Sequence, residues 1–326
     1  MHRASNPIGL ACYGGNGHQI HRHPALVGLA QLIGTAEISA AADLPGRRYA
    51  DLDELLADPA VELVSLCSPR RADQAADALR CLRAGKHVLA EKPCAFSESE
   101  LDALLTAAAT AGRCFREMAG SERLPHYTAL GTVIASGRIG VPFQVLVQKS
   151  YPWHADRPQD EGIDGGLFLQ AGIHAARIAE AMAGSPLVAI VADETGLGNP
   201  GSGDLRMASA MLLRHASGCV SSAIINYGNT RTSGVWGNDT VRVFGPDGFV
   251  VSERDGESLT LVPQDGPPQV LAPAVDAASH LRLFLGELHG ELTDLPTAAD
   301  EVRPLRLMLR ARANLRRCQE LSLAHG

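Results

Sequence analysis

The chain has 326 residues, of which 45% are hydrophobic and 20% charged, and its formal net charge is -7. That length allows two domains with sizeable cores. The acidic balance, with no long run of lysine or arginine, excludes a nucleic-acid backbone as the main partner, because phosphate binding needs clustered cations. Nothing approaches the roughly 18 consecutive apolar residues of a membrane helix. The N-terminal residues run almost directly into an apolar strand, so a soluble, cytoplasmic protein with no membrane partner is expected. Seven cysteines stand at 12, 67, 81, 94, 114, 219 and 318. They are odd in number and form no CxxC pair, so neither a metal site nor a disulfide framework is expected.

In chain order, residues 8–13 read as a strand, followed by a glycine-rich turn, Gly14-Gly15-Asn16-Gly17. A helical pattern then carries Leu26, Leu29 and Leu32, with Pro24 limiting where it begins. Residues 37–43 read as a second strand, 52–56 as a short helix and 61–67 as a third strand. A helix over 72–84 stops at Gly85, and a fourth strand covers 87–91. Ser97, with Glu100 three residues on, predicts a capping box opening a helix that runs to 111. Strands alternating with helices in this way predict a doubly wound parallel sheet of the Rossmann kind.

After about residue 122 the pattern changes. Helices are expected at 125–136 and 174–183. Strands are expected at 143–149, 187–193, 208–214, 219–227, 240–244, 249–252 and 258–262, joined by turns such as Gly245-Pro246-Asp247-Gly248, and a closing helix covers 296–321. Strands that follow one another directly predict a largely antiparallel sheet. The expected fold class is therefore α/β, with a Rossmann domain at 1–122 for NAD(P) and an α+β domain at 123–326 for substrate binding and oligomerisation. The second domain carries a large, mostly antiparallel, open-faced sheet.

A dinucleotide fold uses three glycines after its first strand. Here those positions are Cys12, Gly14 and Gly17, so the motif reads CxGxxG and departs from the pattern at its first place. By itself the turn suits either a cofactor or a plain strand-to-helix connection. Asp43 ends the expected second strand, where a carboxylate accepts hydrogen bonds from ribose hydroxyls and repels a 2′-phosphate. That favours NAD, although Arg47 and Arg48 nearby leave NADP open, and Asp43 also fits a simple polar strand end. Ser68 and Pro69 follow the third strand at the edge where ligands collect. Glu91 and Lys92 leave the fourth strand, and Pro93 restricts the backbone of Lys92. A lysine held beside a cationic nicotinamide has a lowered pKa, suited to proton transfer or to polarising an alcohol oxygen. An exposed surface lysine beside a glutamate would read the same way.

The run Ala84-Gly85-Lys86-His87-Val88-Leu89-Ala90-Glu91-Lys92-Pro93 closely resembles the AGKHVxxEKP segment of the Gfo/Idh/MocA oxidoreductases. Ile134-Ala135-Ser136-Gly137-Arg138-Ile139-Gly140 resembles that family's IxSGxIG turn. Gly165-Gly166-Leu167-Phe168-Leu169-Gln170-Ala171-Gly172-Ile173-His174 resembles its GGxLxDxGxH segment, and Gly237-Asn238-Asp239-Thr240-Val241-Arg242-Val243-Phe244-Gly245 its late strand. The resemblance covers most of the chain. It implies NAD or NADP on Cys12, Gly14, Gly15, Asn16, Gly17, Asp43, Ser68, Pro69, Glu91 and Lys92. It also implies hydride transfer to or from a secondary alcohol of a sugar, cyclitol or related polyol.

Carried over by position, Lys92 sits by the nicotinamide and His174 is the acid/base on the reacting hydroxyl. Gln170 stands where the family has an aspartate, four residues before the histidine on one helix face. A glutamine orients a hydroxyl but carries no charge and takes no proton. Trp153, His154, Arg157 and Asp164 are candidate lining for the substrate pocket; Trp153 equally suits a core or subunit contact. Self-association through the second sheet, as homodimer or homotetramer, is implied as well. Cys12 and Gln170 keep open an NAD(P)-binding sensor or regulatory protein without turnover, and the resemblance leaves a third reading, an NAD-dependent glycosidase-like enzyme that uses transient oxidation to assist elimination.

Overall fold

A computed structural model describes residues 6–39, 44–275 and 278–323. They divide into two compact units. The first comprises Met1–Ala119 together with two later stretches, Gly162–Gly165 and Ala278–Arg303; the second comprises Gly120–Glu161, Gly166–Ala277 and Pro304–Gly326. Two stretches beyond the expected boundary at 122 thus return to the first unit.

The first unit is built on β1 (Ile8–Tyr13), β2 (Ala30–Ala36), β3 (Arg47–Arg48), β4 (Leu63–Leu66), β5 (His87–Glu91) and β6 (Phe115–Met118). All pair in parallel, in the order β3-β2-β1-β4-β5-β6. Every residue of β1 and β4 is buried, as a sheet covered on both faces requires. Helices α1 (Leu52–Ala57), α2 (Gln74–Arg83) and α3 (Glu98–Ala111) connect the strands. The predicted capping box is present: the Ser97 side chain accepts from the Glu100 amide, and the Glu100 carboxylate accepts from the Ser97 amide at 3.0 Å. Gly112, in the left-handed region at φ 60°, ends α3.

One prediction is corrected. No α-helix follows the glycine-rich turn; the chain forms a single 3-10 turn at Pro24–Leu26 and enters β2 at Ala30, earlier than the expected 37. The three-residue leucine spacing imitates a helix, but Gly28 adopts φ 75° and Leu32 pairs with Leu10 in the sheet. The place of the absent helix in the core is filled from far along the sequence. A helix over His280–Leu288 sends Leu281, Phe284 and Leu285 into one cluster with Leu10, Cys12, Leu26, Leu63 and Leu89. Burial of each such side chain stabilises the unit by roughly 1.5–3 kcal/mol. The buried Arg116 of β6 anchors that return, gripping both carboxylate oxygens of Glu287 at 2.8–2.9 Å and Glu301 at 2.9 Å.

The second unit contains α4 (Pro125–Ala135), α5 (Glu161–Asp164, whose last three residues belong to the first unit), α6 (Gly166–Gln170) and α7 (Gly172–Ala183). Its strands are β7 (Gln144–Pro152), β8 (Leu187–Thr195), β9 (Ala208–His215), β10 (Val220–Asn229), β11 (Thr240–Gly245), β12 (Gly248–Glu253), β13 (Ser258–Pro263) and β14 (Gln269–Val270). They form one sheet, β14-β13-β12-β11-β7-β10-β9-β8, antiparallel except for β7 with β10. Alternation is clear in β9, β10 and the first half of β7: Val145, Val147, Met211, Leu213, Ala223 and Ile225 are buried, whereas Leu146, Leu212 and Ile224 are exposed. The period of two leaves one apolar face open. The remaining helices in chain order are α8 (His280–Leu288), α9 (Ala298–Glu301) and α10 (Arg303–Leu323); the closing helix expected at 296–321 is divided near Val302, and α5, α6, α8, β3, β6 and β14 were not predicted. Among the described residues no helix is long and apolar enough to cross a membrane.

Candidate active site

In the first unit the glycine turn leaves β1, Cys67-Ser68-Pro69 leaves β4 and Lys92 leaves β5. These three strands are neighbours, so their carboxyl ends share one sheet edge, at the point where strand order reverses. Gly14 is required by two constraints. It has φ 74°, and a Cβ there would lie 2.0 Å from the Cys67 carbonyl oxygen. Gly15 is exposed and nothing lies within 4 Å of where its Cβ would be. Among the described residues the amides of Gly15 and Asn16 donate no hydrogen bond, so an open, donor-bearing cradle fits a pyrophosphate. Cys12 is a fully buried core residue, and burial pushes its thiol up to about 12.

With no helix behind it, the turn is held by side chains. Gln19 Nε2 donates to the carbonyls of Tyr13 and Gly14 at 2.8 Å and of Ser65 at 3.2 Å, while Ser65 Oγ donates to Gln19 Oε1 at 2.7 Å. Asn16 Nδ2 donates to the Pro69 carbonyl at 3.2 Å and also to that of Ile163. Arg71, buried at the start of the α2 segment, donates to the Asn16 carbonyl and to Gln74 Oε1. The Ser68 hydroxyl is committed to Asp77 at 2.8 Å.

Lys92 precedes Pro93 through a cis peptide. Its side chain is 5% exposed, and Nζ lies 3.3 Å from Glu91 Oε1. Glu91 Oε2 accepts from the His18 amide at 2.7 Å and lies 3.1 Å from His18 Nδ1. Burial alone would raise the Glu91 pKa, but the Lys92 ammonium, His18 and Arg71 together hold it well below the carboxylate range. Gln74 Nε2 donates to the Glu91 carbonyl, and Glu117 accepts from the Cys94 amide at 2.9 Å. Asp164, another candidate pocket residue, is assigned to the first unit, is buried, and interacts electrostatically with Arg71. Beside it Gly165 packs on Pro93, where a Cβ would lie 2.5 Å from Cδ. Asp43 lies outside the described residues. Arg47 pairs with Glu54, and Arg48 Nη1 reaches the Ile38 carbonyl at 3.4 Å.

In the second unit Gln170 and His174 do not share one unbroken helix. Gln170 ends α6 and His174 lies in the first turn of α7, across Ala171. His174 Nδ1 is 2.8 Å from Ser121 Oγ, so that hydroxyl helps to orient the ring. Trp153 and His154 end the segment after β7. His154 stacks on Trp236 with centroids 5.2 Å apart, and Arg157 lies 3.8 Å over the Tyr227 ring. Trp153 Nε1 and Arg157 Nε are buried without a partner among the described residues, a costly state unless a ligand supplies acceptors. No group of three or more His, Cys, Asp or Glu among the described residues is placed to hold a metal ion.

Sequence reasoning missed Gln19, Arg71, Gln74, Ser121 and Trp236. Only Gln19 carried a signal, two residues past the last glycine of the turn; for the others the partners are remote in sequence.

Sheet order, glycine turn and buried lysine define a dinucleotide-binding oxidoreductase fold. Two family models match: the oxidoreductase family, NAD-binding Rossmann fold, over residues 12–118, and the GFO/IDH/MocA C-terminal domain over residues 127–251. The chain belongs to the Gfo/Idh/MocA oxidoreductase family. It is 28% identical over 207 residues to the oxidoreductase YrbE of Bacillus subtilis, spanning 63% of this chain and 59% of that protein. It is 26% identical over 223 residues to the myo-inositol 2-dehydrogenase of Thermotoga maritima, spanning 66% and 64%. The fold is that of the aldose-aldose oxidoreductase of Caulobacter crescentus, at a TM-score of 0.78 and 20% identity over 96% of this chain and 98% of that one.

Proposed function

We propose that this protein transfers a hydride reversibly between a nicotinamide cofactor and a secondary alcohol of a sugar, cyclitol or related polyol. The observation that carries this reading is the buried Lys92 ammonium, held beside Glu91 at the same sheet edge as the open glycine turn. Gly14, Gly15, Asn16 and Gly17 would hold the pyrophosphate. The nicotinamide, when bound, supplies the hydride acceptor or donor. Lys92 stabilises the developing alkoxide, which in a dry site is worth far more than in water. His174 takes the hydroxyl proton, with Ser121 fixing its ring. Gln170 orients a neighbouring hydroxyl. The orphan N–H groups of Trp153 and Arg157 suit a ligand rich in acceptor oxygens. NAD is favoured over NADP by Asp43 in the sequence and by the engagement of Arg47 with Glu54. The named activity of the Thermotoga maritima relative, myo-inositol 2-dehydrogenase, falls in this substrate class.

The open apolar face carrying Leu146, Leu212 and Ile224 suits self-association as a homodimer or homotetramer, and we place the enzyme in the cytoplasm. The test is NAD(P)H formation across inositols, hexoses, aminosugars and sugar acids. An accepted substrate should lose turnover in Lys92→Ala and His174→Ala; wild-type rates in both would remove the roles given to them. Cofactor binding with no turnover across the panel would instead support the regulatory reading, which rests on Gln170.

A further inference from the structure

In a dinucleotide fold the third glycine ordinarily permits close packing of a helix on the sheet. Here no such helix follows, yet Gly17 is still confined. It has φ 141°, and a Cβ would lie 2.6 Å from Cγ and 2.9 Å from Oε2 of Glu91. The space it leaves is taken by a carboxylate. That carboxylate has two ends with different partners. Oε2 belongs to the turn, through the His18 amide at 2.7 Å and ring nitrogen at 3.1 Å. Oε1 faces the Lys92 ammonium as an ion pair at 3.3 Å, with no hydrogen bond among the described residues. Both side chains are almost wholly buried, Glu91 at 1% and Lys92 at 5% exposure, so water screens their ion pair little. Gln74 fixes the Glu91 main chain through its carbonyl.

We propose that Glu91 is a positioning residue that couples the cofactor turn to Lys92, so that seating a nicotinamide dinucleotide on residues 14–18 also sets the direction of the ammonium. This rests on the hydride-transfer reading only where turnover is measured; the cofactor-binding arm stands apart from it. Glu91→Gln keeps the shape but turns one end into an amide donor. Its oxygen cannot serve the His18 amide and Lys92 together, because the NH2 then faces one of two donors. The coupling is broken whichever way the amide turns.

The experiment is a mutant cycle on the full chain, with wild type, Glu91→Gln, Lys92→Met and the double variant. NADH affinity is read by fluorescence titration without substrate, and kcat with an accepted polyol. Glu91→Gln should weaken NADH about tenfold and lower kcat about tenfold, the loss of one charged contact. On the Lys92→Met background Glu91→Gln should lower kcat no further, because its effect passes through the lysine. Wild-type NADH affinity in Glu91→Gln, or kcat losses that multiply independently, would overturn the proposal. Should Glu91→Gln fail to fold, the exposed His18→Ala removes only the ring contact. It should weaken NADH and lower kcat together, and its kcat effect should vanish beside Lys92→Met; an unchanged variant would overturn the proposal equally. If no substrate turns over at all, hydride transfer falls while the NADH titration still decides the coupling.

Discussion

The glycine turn of the first unit and the segment after β7 in the second are furnished with different polar contacts. Around the turn, Gln19 reaches three carbonyls, Asn16 two, and Glu91 engages both the turn and Lys92. In the second unit, Trp153 Nε1 and Arg157 Nε are buried without partners among the described residues, and His174 Nδ1 lies 2.8 Å from Ser121 Oγ. The turn is braced by its own side chains, although Arg71 Nε and Glu91 Oε1 beside it are also buried without a hydrogen-bond partner among the described residues. Under the proposed function, Trp153 Nε1 and Arg157 Nε would donate to the substrate. Rigid recognition of a common cofactor and adaptable recognition of a particular alcohol would produce this contrast.

Several substitutions break or sharpen that comparison. The largest effect is expected at Lys92: Lys92→Ala should lower kcat by about 10²–10⁴-fold, with NADH affinity much less affected, as read by steady-state rates beside a fluorescence titration. Gly14→Ala should destabilise the first unit by at least about 2 kcal/mol in denaturant melts, because its Cβ would meet the Cys67 carbonyl at 2.0 Å and its φ is 74°. If Gly14→Ala melts like wild type, the tight seating of the turn is refuted. Gln19→Ala should leave the fold standing but weaken NADH about tenfold, by releasing four hydrogen bonds around the turn.

Acid should expose the role of Glu91. A carboxylate whose pKa is depressed on folding contributes stability above its unfolded value and loses it as pH falls through the folded one. The stability gap between wild type and Glu91→Gln should therefore narrow as pH drops below its ordinary 4.5, as measured by denaturant midpoints; a gap independent of pH would contradict the ion pair. The smallest change is expected on the substrate side. Gln170→Asp should raise kcat a few-fold, by roughly the worth of one added charge near His174.

Much of this was legible in the sequence because its signals are local. The capping box at Ser97 and Glu100, the strand ending in Glu91-Lys92-Pro93 and the alternation of β9 and β10 each lie within a few residues. The helix expected through Leu26, Leu29 and Leu32 failed for the opposite reason. Its place is taken by α8, whose Phe284 and Leu285 come from some 250 residues away, and no periodicity near Leu26 reports that. Asp164 illustrates the same point at the site. By sequence it neighbours Arg157 and His174, yet it interacts electrostatically with Arg71, 93 residues earlier, a partner that no local pattern reports. The i, i+4 spacing of Gln170 and His174 was visible, but the break at Ala171 and the Ser121 contact were not, since Ser121 lies 53 residues before the histidine.

The most direct measurement follows an atom. A polyol deuterated at its reacting carbon is incubated with oxidised cofactor, and the label is sought at C4 of the reduced nicotinamide by mass spectrometry. Transfer in the wild type, falling away in Lys92→Ala while NADH still binds, is the predicted result. Bound cofactor that gains no deuterium from any polyol tried, or undiminished transfer without Lys92, would contradict it.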